Sequence, residues 1–194
     1  MLKDLKLDRR HLFLGILIIF SLYFIYKLVF PLYLNKPIRV TIIKNKENIA
    51  DLNTPVNVDF ENFIDINTIN FPENRTLSHK NFGSFGFSSN FFLNFKTKMF
   101  VKKEGLYTFF VSSDDGFRMK IDDNVVGEYI YDRPFSTTEI SVYLKKGLYN
   151  VEISYFQGYG PCGIVVHYKY FESKSKYLFG KNSSYISFIY PGKQ

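Results

Sequence analysis

The sequence predicts an all-β protein, an antiparallel β-sandwich or barrel, preceded by one N-terminal transmembrane helix. Three observations carry this expectation. Aromatic residues make up 19% of the 194-residue chain, with 22 Phe and 15 Tyr, and such side chains favour pleated, half-buried surfaces. Apolar and polar residues alternate in short runs broken by Gly, Asn and Asp turns, at the roughly 8–12-residue spacing of sandwiches and barrels. Ahead of these runs lies a stretch, residues 12–34, that is apolar except for a few small or polar residues and Lys27.

Residues 1–11 form a polar flank whose basic residues are Lys3, Lys6, Arg9 and Arg10. From Leu12 to Tyr26 there is no charge; Lys27 interrupts, and the apolar run resumes to Leu34. As a helix, residues 12–34 span roughly 35 Å, enough for a hydrocarbon core of about 30 Å. Lys27 lies where it can snorkel, and Tyr23, Tyr26 and Tyr33 fall toward the far interface. Pro31 is expected to end or kink the helix. The residues that follow, among them Tyr33, Asn35 and Lys36, offer no small-residue cleavage site, so the segment reads as an uncleaved signal anchor. The basic flank belongs in the cytoplasm. That makes the chain a single-pass inner-membrane protein whose C-terminal domain is periplasmic or extracellular.

Residues 35–50 read as a linker or arm, with Ile38–Ile43 strand-like and 44–50 a polar turn. Residues 51–172 form the β domain. Leu93, Phe95, Thr97 and Met99 alternate with Asn94, Lys96 and Lys98; Phe117, Met119 and Ile121 alternate with Arg118, Lys120 and Asp122. Both have the period of a strand with one face buried. Asp122-Asp123-Asn124 reads as a hairpin turn, since Asp and Asn tolerate positive φ. Tyr149, Val151, Ile153 and Tyr155 make a further alternating strand, and Ile164–Tyr170 closes the domain. Residues 173–194 are an extension with room for one added strand.

The chemistry centres on Ser112-Ser113-Asp114-Asp115-Gly116-Phe117. Neighbouring strand residues point to opposite faces, so two adjacent carboxylates reach a common point only through a loop, a bulge or a cis peptide. Two readings stand open on these residues: carboxylates that cap backbone N–H groups of a tight loop, or a calcium site, since calcium gathers six to eight oxygens.

The run from Gly105-Leu106-Tyr107-Thr108-Phe109 through Ser113-Asp114-Asp115-Gly116 to Ile121-Asp122-Asp123 resembles the middle of a PA14 domain. Leu144-Lys145-Lys146-Gly147-Leu148-Tyr149-Asn150-Val151-Glu152-Ile153 and Tyr155-Phe156-Gln157 resemble that family's later strand pair. The resemblance spans about residues 80 to 170 and implies a membrane-anchored bacterial PA14 domain-containing protein. In lectin-like members the matching acid pair binds calcium through a cis peptide, and sugar hydroxyls complete the ion's shell. That implicates Asp114 and Asp115 as metal ligands. The loop 157–163 is the implied second contributor, with Gln157 and Tyr159 as ligand-binding residues. It departs from the lectin pattern in having no Asp, Glu or Asn.

The remaining features exclude more than they assign. The net charge of +7 is scattered, without the basic stripe and interleaved stacking residues of a nucleic-acid binder. Cys162 is the single cysteine, so no intramolecular disulfide forms. His11, His79 and His167 have no metal-ligand spacing, and neither a Gly-x-Ser-x-Gly elbow nor a P-loop occurs. The chain therefore reads as a non-enzyme. Two roles remain: a binding or structural component of a cell-envelope protein assembly, or a calcium-dependent module for cell-wall or surface glycan.

Overall fold

The computed structural model describes residues 9–34 and 36–191; residues 1–8 of the polar flank, Asn35 and residues 192–194 lie outside the described part. The chain divides into two units, the helix and, from Lys36 on, the β domain. Helix α1 (Arg9–Leu34) holds an 18-residue window, Arg10–Lys27, of mean hydropathy 1.5, long and apolar enough to cross a membrane. It continues through Pro31 to Leu34, so of the two outcomes expected at this proline, an end or a kink, the first does not occur.

In chain order the β domain comprises β1 (Ile38–Asn45), β2 (Val58–Ile66), β3 (Asn70–Asn74), the short hairpin β4 (Ser78–His79) and β5 (Gly83–Ser84), and β6 (Phe91–Val101). There follow β7 (Gly105–Asp114), β8 (Phe117–Ile121), β9 (Asn124–Tyr129), β10 (Ser136–Leu144), β11 (Gly147–Gln157), β12 (Cys162–Tyr170), β13 (Tyr177–Leu178) and β14 (Ile186–Ile189). One sheet has the order β2-β1-β6-β11-β8-β9, with β14 also on β6; the other has β10-β7-β12-β13, with β3 also on β12. All pairings are antiparallel.

The alternation read from the sequence is the packing pattern. Leu93, Phe95, Thr97 and Met99 of β6 point inward, as do Phe117, Met119 and Ile121 of β8 and Val151, Ile153 and Tyr155 of β11. They meet Tyr107, Phe109 and Val111 of β7 and Ile164, Val166, Tyr168 and Tyr170 of β12. The turn at Asp122 and Asp123 has φ of 47° and 65°, the left-handed conformation that a tight hairpin needs.

Two segments differ from the sequence reading. Of residues 36–50, the strand-like part Ile38–Ile43 is strand β1 and packs into the domain: Ile38, Val40 and Ile42 are buried, and β1 sits between β2 and β6. Only one face of β1 packs on the core, so its apolar period is short and easily read as an arm. The extension 173–194 supplies β13 as well as β14, and Phe179, Ile186 and Phe188 enter the core.

Candidate functional site

Strand β7 carries Ser113, Asp114 and, just past its end, Asp115 into the interior. Their exposures are 0%, 6% and 1%. The Asp114–Asp115 peptide bond is cis. The turn into β8 leaves no room beside Gly116. A Cβ there would lie 2.5 Å from the Tyr129 carbonyl oxygen, 2.6 Å from the Phe156 ring and 2.9 Å from the Tyr131 carbonyl oxygen. Two of these neighbours are backbone and cannot swing aside. Gly116→Ala is therefore expected to cost about 1–3 kcal/mol, seen as a melting temperature several degrees lower; an unchanged melting curve would contradict the tight packing.

The loop after β11 is held against this turn from within. The Gln157 side chain is fully buried. Its Nε2 donates to the Tyr159 carbonyl at 3.0 Å and the Pro161 carbonyl at 2.9 Å, and its Oε1 accepts from the Tyr155 hydroxyl at 2.7 Å. The same hydroxyl has one proton, shared between Gln157 Oε1 and the Asp114 carbonyl, and accepts from the Gly163 N–H at 3.2 Å. One tyrosine thus ties the acid turn, the second loop and β12 together. The Gly158 N–H donates to Asp115 Oδ2 at 2.7 Å, and the Asn90 N–H donates to the Gly158 carbonyl at 3.0 Å.

On the other side stands Arg133, buried, with its guanidinium over the rings of Tyr129 and Phe117 at 4.8 and 5.3 Å. It donates from Nη1 to Thr138 Oγ1 and from Nη2 to Ser113 Oγ, at 2.8 and 2.7 Å, and Ser113 Oγ donates to the Asp115 carbonyl at 2.6 Å. These bonds fix the backbone of the acid turn, not its carboxylates.

The carboxylates are crowded. Asp115 Oδ1 is buried and meets no N–H or O–H donor among the described residues; the neighbouring Asp132 carboxylate can bond it only if one of the two acids carries a proton. Burial first, then Asp132, push Asp115 up to about 8, against the Gly158 N–H that favours its charge. Burial, Glu73 and Asp132 push Asp114 up to about 6, against Asp115 and Arg133.

Asp115 opens onto a hollow of about 220 Å³ lined by Asn48, Ile49, Asn90, Asp132, Phe156 and Tyr159, among others. Tyr159 is 81% exposed. It also borders a second hollow of about 410 Å³ with Arg75, Ser88 and Ser89. Of the residues singled out by sequence, Asp115 and Tyr159 share one hollow, Asp114 lies beside it, and Gln157 lies behind it as an internal brace. Asn48 comes from the segment read as a polar turn, and Asn90 and Asp132 come from stretches to which the sequence assigns no site. No local signal marked them.

A divalent cation suits the crowded acids and the donorless Oδ1. Among the described residues no three His, Cys, Asp or Glu side chains converge as a ready-made ligand set, so such an ion would need neutral oxygens from backbone and ligand.

A family model described as "PA14 domain" matches residues 57–170. No curated protein sequence matches the chain. Among solved structures, it is similar to a PA14 sugar-binding domain from an RTX adhesin, with TM-score 0.59 and 16% identity over 74% of this chain and 94% of that one. It is similar to the PA14 domain of the antifreeze protein MpAFP, with TM-score 0.60 and 12% identity over 82% and 93%. The third is the A domain of epithelial adhesin 9 from Candida glabrata in complex with Galb1-3GlcNAc, with TM-score 0.57 and 13% identity over 80% and 91%. At these identities the likeness is one of fold.

Proposed function

Because the chain belongs to the PA14 domain family, we propose that its β domain is a non-enzymatic, calcium-dependent glycan-binding module, held outside the cytoplasm by α1 as a membrane anchor. The observation that carries this reading is the buried, donorless Oδ1 of Asp115 at a hollow roofed by the exposed ring of Tyr159. Asp114 and Asp115 would hold the ion, with Asp132 adding negative charge. Calcium would supply an anchor for vicinal hydroxyls, which bind a bare protein surface weakly. Tyr159 offers a flat apolar face to a sugar ring. The sugar-bearing neighbours support the class of ligand.

The test is calcium titration of the full-length chain in detergent. Extracellular calcium modules bind with dissociation constants of about 0.1–1 mM. Ten millimolar calcium should therefore raise the melting temperature by about 3–10 °C, and Asp115→Asn should abolish the shift. Retention on immobilised cell-wall or surface polysaccharide should need calcium and should fall with Tyr159→Ala. A calcium-independent melting temperature would refute the reading.

A second reading, a structural component of a cell-envelope protein assembly, is favoured by a different observation. Val56, Val58, Phe60 and Phe63 are 42–62% exposed along and beside β2, remote in sequence from the acid turn.

A further inference from the structure

We propose that β2 is a strand-addition site for an extended segment of another protein in which Lys or Arg alternates with apolar residues. This rests on the second reading above and is independent of calcium and glycan.

Strand β2 ends the larger sheet; among the described residues it pairs with β1 alone. An open edge presents unpaired N–H and C=O groups, and proteins usually blunt it with Lys, Pro or a bulge. The sequence of β2, VDFENFIDI, contains no Lys, Arg, Pro or Gly. Its register with β1 is regular from Phe60 to Ile66, the single shift lying at the Val58 end. The Phe63 N–H donates not to β1 but to the Asn62 side chain, at 2.8 Å. Alternate residues of an antiparallel strand direct their backbone groups the same way, so Glu61, Phe63 and Asp65 offer theirs to the open side. Asn62 acts as a detachable cover over one of them.

The side chains specify the visitor. On the core-facing row, exposure rises from Ile66 at 0%, through half-buried Ile64, to exposed Asn62 and to Phe60 at 50%. An added strand would continue that row with apolar residues. The other row carries Glu61 and Asp65 on either side of Phe63, with Asp59 near its end. Among the described residues, only Asp65 of the three has a basic partner, Arg39 at 3.2 Å. Three acids within nine residues stand out in a chain of net charge +7. A second copy of β2 paired about Asn62 would set Asp59 against Asp65, a repulsive cross-strand pair. A basic strand would meet them favourably.

The probe is a fluorescent nine-residue peptide alternating Lys and Val, titrated by anisotropy against the full-length chain in a neutral detergent without calcium. Its controls are a Glu–Val peptide and a Lys–Val peptide N-methylated at alternate amides. Saturable binding is expected for Lys–Val, at least tenfold weaker for both controls. Glu61→Lys should weaken binding about tenfold at an unchanged melting temperature. Asn62→Ala, which uncovers the Phe63 N–H, should strengthen it several-fold. Equal binding of the N-methylated peptide would reduce the contact to charge alone and overturn the proposal. So would indifference to Glu61→Lys, or a dimer photocrosslinked through position 63. Failure of the calcium titration leaves these outcomes untouched.

Discussion

Tyr155→Phe is expected to be among the most destabilising single-atom deletions in the domain. The hydroxyl lies on a fully buried ring; its one proton is shared between the Asp114 carbonyl and Gln157 Oε1, and its oxygen accepts from the Gly163 N–H. Gln157 Oε1 has no other donor among the described residues. A buried polar group left without its partner costs about 1–3 kcal/mol, and the three share one network. A loss of about 3–5 kcal/mol follows, or a melting temperature lower by roughly 6–20 °C for a domain of this size. Tyr143→Phe is the control. Its hydroxyl reaches Glu104 at 3.3 Å on the surface, and removing it should change stability by less than about 0.5 kcal/mol. Equal effects of the two substitutions would remove Tyr155 from its place as the tie between the loops.

The second large effect is with pH. In calcium-free buffer, stability is expected to fall between pH 6.5 and 9. The folded state holds Asp115 at about 8 and Asp114 at about 6, whereas an unfolded aspartate titrates near 3.9. A group whose pKa is raised by folding gives its full stabilisation below the unfolded value and loses it as pH climbs through the folded value. Asp114 has largely titrated by pH 7, so the decline above that is mainly Asp115, about 1–2 kcal/mol by pH 9. His79 and His167, whose pKa values burial lowers, act in the opposite sense below about pH 6.5, so the window above that is the informative one. Asp115→Asn keeps the shape and removes the charge; its profile should be flat up to about pH 8, above which the buried Cys162 thiol, pushed up to about 11, adds a decline of its own in both proteins. Urea unfolding at several pH values in a chelator measures both. A wild-type profile that rises toward pH 9 would mean that the acid turn is not crowded with charge.

The sandwich was legible in the sequence because inward and outward residues differ in kind. In β6, β8 and β11, large apolar side chains alternate with Lys, Arg, Asn or Glu, and burial follows that order. The hairpin at Asp122 and Asp123 was legible for the same local reason. The acid turn was legible as unusual, since a strand cannot aim two neighbouring carboxylates at one place. Its surroundings were not. Arg133 carries no mark in the sequence, and its role arises only when β10 lies beside β7. Asn90 and Gly158 meet across 68 residues of chain, and Asp132 is a surface acid whose effect on Asp115 comes from proximity alone. Helix α1 passes Pro31 in spite of the ring's missing donor, and β1 runs two residues beyond the strand-like Ile38–Ile43, through Lys44 and Asn45.

One flank of β6 is shared by two strands: residues 91–96 pair with β1, and 98–101 with β14. The first partner precedes β6 in the chain, and the second follows it by 85 residues. During synthesis, a nascent polypeptide therefore presents β1 and β6 together long before β14 exists. Four of the ten paired positions on that flank stay open until residue 189 becomes available. Assembly is thus gated by the arrival of a late segment, and a chain threaded through a narrow pore would cross it before it could lock into its final form.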